Sequence, residues 1–152
     1  MNNLVVCPFE EEYIDAILSI EELSFKDPWS RDSMERELNN SFARYLVVKY
    51  NDKVIGYGGM WLILDEGHIT NIAVAPKYRC MGAGNVILKS LIDICEKEQI
   101  NSLTLEVRMT NTIAQKLYNK FGFVSEGIRK NYYADNNEDA LIMWKRNIQT
   151  TI

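Results

Sequence analysis

The stretch "ITNIAVAPKYRCMGAGNVIL" (residues 69–88) decides the fold. Its first part is rich in apolar and β-branched residues and reads as a strand. Pro76 opens a loop, and Gly82-Ala83-Gly84 leads into an apolar run with helical spacing. Glycines are poor helix formers, so their place at a helix start needs a reason. Two readings are open. Small residues let an anion approach the first-turn N–H groups, which carry the positive end of the helix dipole. Otherwise the glycines only soften the turn. A dinucleotide fingerprint would need glycine at position 87, where Ile87 stands, and a Walker loop would need Lys after Gly84, where Asn85 stands.

Upstream, "LVVCPF" (4–9) reads as a strand and "EEEYIDAILSIEELSF" (10–25) as a helix, with Ile14, Ile17, Leu18 and Glu21 on one stripe. Pro28 forces Asp27 out of helical geometry, and Ser30 is placed to cap a second short helix, "SRDSMERELNN". "ARYLVVKY", "KVIGYGGMWLIL" and "GHITNIAVA" follow, separated by the turn signals "YNDK" and "LDEG", as an antiparallel meander. Downstream come a helix over about 82–98, the strand "SLTLEV", a helix over about 112–121, and two strands around "DNNE". A strand–helix–strand passage implies a parallel crossover between the strands at 68–75 and 102–107. The expected architecture is α/β: a mixed sheet of about seven strands with helices on both faces, in the order β-α-α-β-β-β-α-β-α-β-β, as one domain over 1–152.

The bulk numbers narrow the function. A chain of 152 residues can bury a real core. Its net charge of −4 argues against a nucleic-acid surface, and no apolar run approaches the ~20 residues that span a bilayer. "MNNLVVCPFEEEY" lacks the features of a signal peptide. Three widely spaced cysteines and a single histidine point to a reducing cytoplasm and to no metal site.

The set "DPWS" (27–30), "NIAVAPKYRCMGAG" (71–84), "LEVRMTN" (105–111), "LYNKFGF" (117–123), "RKNYY" (129–133) and "EDALIM" (138–143) lies in one order across most of the chain. It resembles the GNAT superfamily of acyl-CoA N-acyltransferases, and within it the bacterial enzymes that acetylate the N-terminal alanine of a ribosomal protein. The resemblance implies acetyl-CoA as cosubstrate. Amides from Met81, Gly82, Ala83, Gly84 and Asn85, after Arg79 and Cys80, would hold its pyrophosphate. Ile72, Ala73 and Val74 would offer strand backbone to the pantetheine arm, and Asn111 a further hydrogen bond. The sequence departs from the family at Cys80, Met81 and Asn85, where basic or polar side chains are usual, which implies weaker cofactor affinity.

Acetyl transfer to an amine needs a neutral amine, a polarised carbonyl and a proton for the leaving thiolate. In "SLTLEVR", Leu103, Leu105 and Val107 point one way and Thr104 and Glu106 the other. A carboxylate in such a strand is costly unless paired or functional. An ion pair with Arg108 or a lysine, and a general base whose pKa burial raises, are both open. Tyr118 shares the stripe Ala114, Leu117, Phe121, which is a core pattern, yet a phenol is also a sensible proton donor to a thiolate. The resemblance implies Glu106 as base and Tyr118 as acid. His68 is the runner-up base, and Asn111 also reads as a helix N-cap.

Trp29, Tyr132 and Tyr133 either wall a peptide slot, as the resemblance implies, or cap the core edge. Asp135, Glu138 and Asp139 either favour a cationic peptide or are solvated. No cysteine has an activating neighbour in sequence, so direct attack in a ternary complex is expected over an acetyl-enzyme. Cys80, beside the glycine loop, is a candidate redox-sensitive thiol. The expected partner is a small-subunit ribosomal protein's N-terminus, met by a monomer that binds neither nucleic acid nor membrane. Rival readings are acetylation of a small-molecule amine and a non-catalytic acyl-CoA-binding module.

Overall fold

The computed structural model describes residues 3–150; Met1 and Asn2 of the amino-terminal stretch, and residues 151–152 of the expected domain, lie outside the described residues. The strands are β1 (Leu4–Pro8), β2 (Ala43–Tyr50), β3 (Lys53–Ile63), β4 (Glu66–Val74), β5 (Ser102–Arg108), β6 (Val124–Tyr133) and β7 (Glu138–Lys145). The α-helices are α1 (Ile14–Ser24), α2 (Arg31–Leu38), α3 (Ala83–Lys97) and α4 (Thr112–Lys120). All seven strands form one mixed sheet, ordered β1-β2-β3-β4-β5-β7-β6. The element order matches the sequence reading, and β4 and β5 pair parallel as the crossover rule requires. The start of the expected first helix is instead a 3₁₀ turn, Glu11–Tyr13.

The chain divides into two compact units: residues up to Trp61 with Thr70–Leu91, and Leu62–Ile69 with the residues from Ile92 onward. In the first, the apolar stripe of α1 (Ile14, Ile17, Ile20) packs with Met34, Tyr45, Val47, Tyr57 and Ala73. Ser30 caps α2 as expected, its hydroxyl accepting from the Ser33 N–H at 3.2 Å. β3 carries glycines because its neighbours come too close for side chains. A Cβ at Gly58 would lie 2.4 Å from Ile87 Cγ2, and one at Gly59 2.2 Å from the Tyr45 ring.

In the second unit, β5 alternates as its sequence does: Leu103, Leu105 and Val107 are buried, while Thr104 and Glu106 take the other face. The return strand β7 inserts beside β5, with Glu106 opposite Ile142, which leaves β6 at the sheet edge. β6 pairs irregularly with β7 between Arg129 and Tyr133, and Asn131 there has φ +54°. Such a bulge bends a strand and re-aims its side chains.

Candidate active site

The glycine loop turns sharply into α3. Arg79 and Cys80 lead into Met81 and Gly82; Cys80 is exposed with φ +68°, and Gly82 has φ +87°. The Gly82 carbonyl accepts from the Val86 N–H at 3.1 Å, so the amides of Ala83, Gly84 and Asn85 precede the first i→i−4 bond of α3. Helix starts of this kind direct backbone N–H groups and the positive end of the helix dipole outward. Arg79 is spent partly on structure: its Nε donates to the Val74 carbonyl at 3.0 Å, tying the loop to the end of β4. Pairing of β4 with β5 covers Glu66–His68, so Ile72, Ala73 and Val74 lie beyond that ladder.

Glu106 sits in a cluster of partners. Its Oε1 is 2.7 Å from His68 Nε2 on β4, and its Oε2 is 3.4 Å from Arg129 Nε on β6. The Glu106 side chain is 9% exposed and that of His68 is 40% exposed. The hydrogen bond from His68 holds the carboxyl below its ordinary range, outweighing burial, and Arg129 adds to the effect. The expected upward shift is therefore overturned: a partly buried carboxylate hydrogen-bonded to an imidazole and facing a guanidinium favours its charged form. The expected ion-pair partner is also corrected. Arg108 instead binds Asp135 at 3.0 Å and Glu138 at 3.2 Å, and its guanidinium lies 4.0 Å from the Tyr133 ring centre. Nothing in the sequence spacing placed His68 against Glu106; only the parallel β4–β5 pairing brings them together.

Tyr118 is buried at the α4 face as its stripe predicts, with its ring 5.8 Å from that of Phe123. Burial, with a contribution from Tyr133, pushes its phenol up to about 12. No described residue hydrogen-bonds to that hydroxyl. Asn111 caps α4, its side-chain oxygen accepting from the Ala114 N–H at 3.1 Å. Tyr132 and Tyr133 meet edge-on at 5.0 Å; burial and the Glu106 carboxylate raise the Tyr132 phenol.

Trp29 belongs to the first unit. Its ring is 6.4 Å from Tyr45, and its backbone N–H donates to Glu21 Oε1 at 2.9 Å. Glu21 is 1% exposed and also accepts from the Tyr57 hydroxyl. Burial raises its carboxyl. Sequence reasoning put Glu21 on the apolar stripe but missed this network; the signal was a charged residue at a core position.

The turn acids are engaged within the protein. Glu138 is bound by Thr110 and held down to about 2, and Asp139 accepts from the Asn131 N–H at 2.8 Å. Cys95 is buried, its thiol pushed up to about 12. Among the described residues no group of three His, Cys, Asp or Glu could hold a metal, and no helix is long and apolar enough to cross a membrane.

The model of the acetyltransferase (GNAT) family matches residues 14–123. A Bacillus subtilis (strain 168) protein, whose name marks it as a candidate ribosomal protein bS18-alanine N-acetyltransferase, is 47% identical over 88% of this chain and 89% of its own. The ribosomal protein bS18-alanine N-acetyltransferase of Haemophilus ducreyi is 38% identical over 88% of this chain and 93% of its own. The crystal structure of the Escherichia coli ribosomal-protein-S18-alanine N-acetyltransferase superposes with a TM-score of 0.87 at 33% identity, covering 95% of this chain and 94% of that one.

Proposed function

This chain belongs to the GNAT family of acetyltransferases, and on that premise we propose that it uses acetyl-CoA to acetylate the N-terminal alanine of ribosomal protein bS18. The observation that carries the acceptor is its identity, along nearly the whole of both chains, to relatives named for that reaction. Residues 1–152 act as one catalytic domain, a monomer in the cytoplasm, where it meets the ribosomal protein.

Bound acetyl-CoA supplies an electrophilic thioester carbonyl. The amides of Met81, Gly82, Ala83, Gly84 and Asn85, with Arg79 and Cys80 preceding them, hold its pyrophosphate. Ile72, Ala73 and Val74 hold its arm, with Asn111 adding a hydrogen bond alongside its capping role. Trp29, Tyr132 and Tyr133 wall the acceptor peptide. An α-amine, with a pKa near ~8, is roughly a tenth neutral at pH 7, whereas a lysine is neutral at well under a thousandth. The hydrogen-bonded pair of Glu106 and His68 serves the first demand, a neutral amine. Tyr118, protonated throughout the physiological range, serves the leaving sulfur. Transfer is direct: the buried Cys95 thiol, held protonated, is a poor nucleophile.

The test is release of CoA from acetyl-CoA with two peptides of the bS18 amino-terminal sequence. One has a free N-terminal alanine; the other is blocked there and carries a lysine. Turnover with the free terminus alone is expected. Turnover with neither, despite tight acetyl-CoA binding, overturns the acceptor assignment.

A further inference from the structure

We propose that His68, not Glu106, accepts the proton from the acceptor's α-ammonium group, and that Glu106 acts through it as the orienting and charge-balancing carboxylate. The proposal rests on the acyl-transfer reading above and deepens it. Glu106 Oε1 faces His68 Nε2 at 2.7 Å. An ionised carboxylate only accepts, so Nε2 carries the hydrogen and the lone pair resides on Nδ1. No described residue bonds to Nδ1, and no buried side-chain nitrogen or oxygen lacks a partner among the described residues, so Nδ1 is open to solvent. The carboxylate is 9% exposed and engaged by both His68 and Arg129, so of the two the imidazole presents the accessible lone pair. The lowered Glu106 pKa agrees with a carboxylate that stays charged behind the ring.

Polar and charged groups meet this pair from the strands beyond β4. From β5 come Glu106 and Thr104, whose hydroxyl is turned to the Met143 carbonyl. From β6, Arg129 and Tyr132 reach the shared carboxylate. A carboxylate behind an imidazole fixes its tautomer and stabilises the imidazolium that forms.

The step balances. The ammonium N–H bond breaks, its proton passes to Nδ1 directly or through one water, and the electron pair stays on nitrogen as the nucleophile. His68 becomes imidazolium against the Glu106 anion and later returns the proton to solvent. This is the one proton the overall reaction releases at neutral pH.

His68 is the chain's single histidine, so nitrogen-detected imidazole NMR reads it without overlap. In the wild-type protein the spectrum is expected to show hydrogen on Nε2, and in E106Q the protonation midpoint should move to lower pH. Hydrogen on Nδ1 in the neutral ring overturns the assignment whatever the enzyme's acceptor. In turnover with the free-alanine peptide, H68Q should lose about 10²-fold or more in kcat and the acid limb of the pH profile. H68A should regain rate with added imidazole. E106Q should keep an acid limb, moved to lower pH. If H68Q turns over within threefold of wild type with the same acid limb, the proton goes elsewhere. A wild type inactive on every free terminus overturns the underlying acceptor reading instead, and the NMR result still decides the pair.

Discussion

Tyr118→Phe tests how the leaving sulfur is served. Burial places the Tyr118 phenol at about 12, about 3.5 units above a thiol near ~8.5, so complete transfer of its proton to a thiolate is uphill by roughly 5 kcal/mol. The hydroxyl therefore acts by donating a hydrogen bond as negative charge builds on sulfur. A hydrogen bond to a charged group is worth about 1.5–3 kcal/mol, so kcat should fall by roughly 10- to 150-fold. Phenylalanine keeps the ring packing against Phe123 at 5.8 Å, and the deleted hydroxyl has no partner among the described residues. Thermal stability should thus change by no more than about 0.5 kcal/mol. The assay is CoA release at saturating acetyl-CoA and peptide between pH 6.5 and 9.5, beside a melting curve. Parallel pH profiles for wild type and variant are expected. A loss beyond about 10⁴-fold, or a wild-type basic limb near pH 9 that vanishes in the variant, would refute the hydrogen-bond argument and restore full proton transfer.

Gly82→Ala forces a side chain into φ +87°, a cost of about 1–2 kcal/mol; calorimetry should show acetyl-CoA binding weakened several-fold, with kcat at saturation retained. Asn111→Ala removes the cap on the Ala114 N–H and should cost about 0.5–2 kcal/mol. Asn111→Asp should recover the melting temperature but not the acetyl-CoA affinity; recovery of both would reduce Asn111 to a cap. Gly58→Ala drives a Cβ to 2.4 Å from Ile87 Cγ2 and should destabilise by about 1–3 kcal/mol, read as a lowered Tm; an unchanged Tm would show that Ile87 yields freely. Glu106, with its folded-state pKa below the unfolded value, stabilises the fold above the ordinary carboxylate range and loses that contribution as pH falls through the folded value. The Tm gap between wild type and Glu106→Gln should therefore be widest near pH 7 and close towards pH 3; a gap independent of pH would assign the effect to packing.

Much of this was legible in the sequence because local signals and topology agree. Alternation in "SLTLEVR" fixed which face Glu106 takes, and the passage from β4 through α3 to β5 fixed their parallel pairing. Pairings between elements distant in the chain were not legible. Glu106 meets His68, 38 residues away, because two strands lie side by side in one register. It meets Arg129 where β6 bulges, and no period in "GIRKNYY" announces a bulge. The sequence reading offered Arg108 or a lysine as the partner, and Arg108 does share a strand face with Glu106, but Asp135 and Glu138 at the β6–β7 turn take its guanidinium, a competition that no local pattern announces.

Two carboxylates, Glu21 on the apolar stripe of α1 and Glu106 on the polar face of β5, show how environment divides the chemistry. Glu21 faces neutral donors, the Trp29 N–H and the Tyr57 hydroxyl, and is sealed at 1% exposure; its carboxyl is raised. Glu106 faces an imidazole and a guanidinium and is lowered. Glu21 holds a proton more readily but cannot exchange one with an acceptor, since nothing reaches it. Glu106 lies within reach of solvent through His68 but holds its charge. Neither carboxylate combines proton affinity with access. The imidazole supplies the access, with one nitrogen committed to Glu106 and the other open, and His68→Gln is therefore the substitution expected to damage amine deprotonation most.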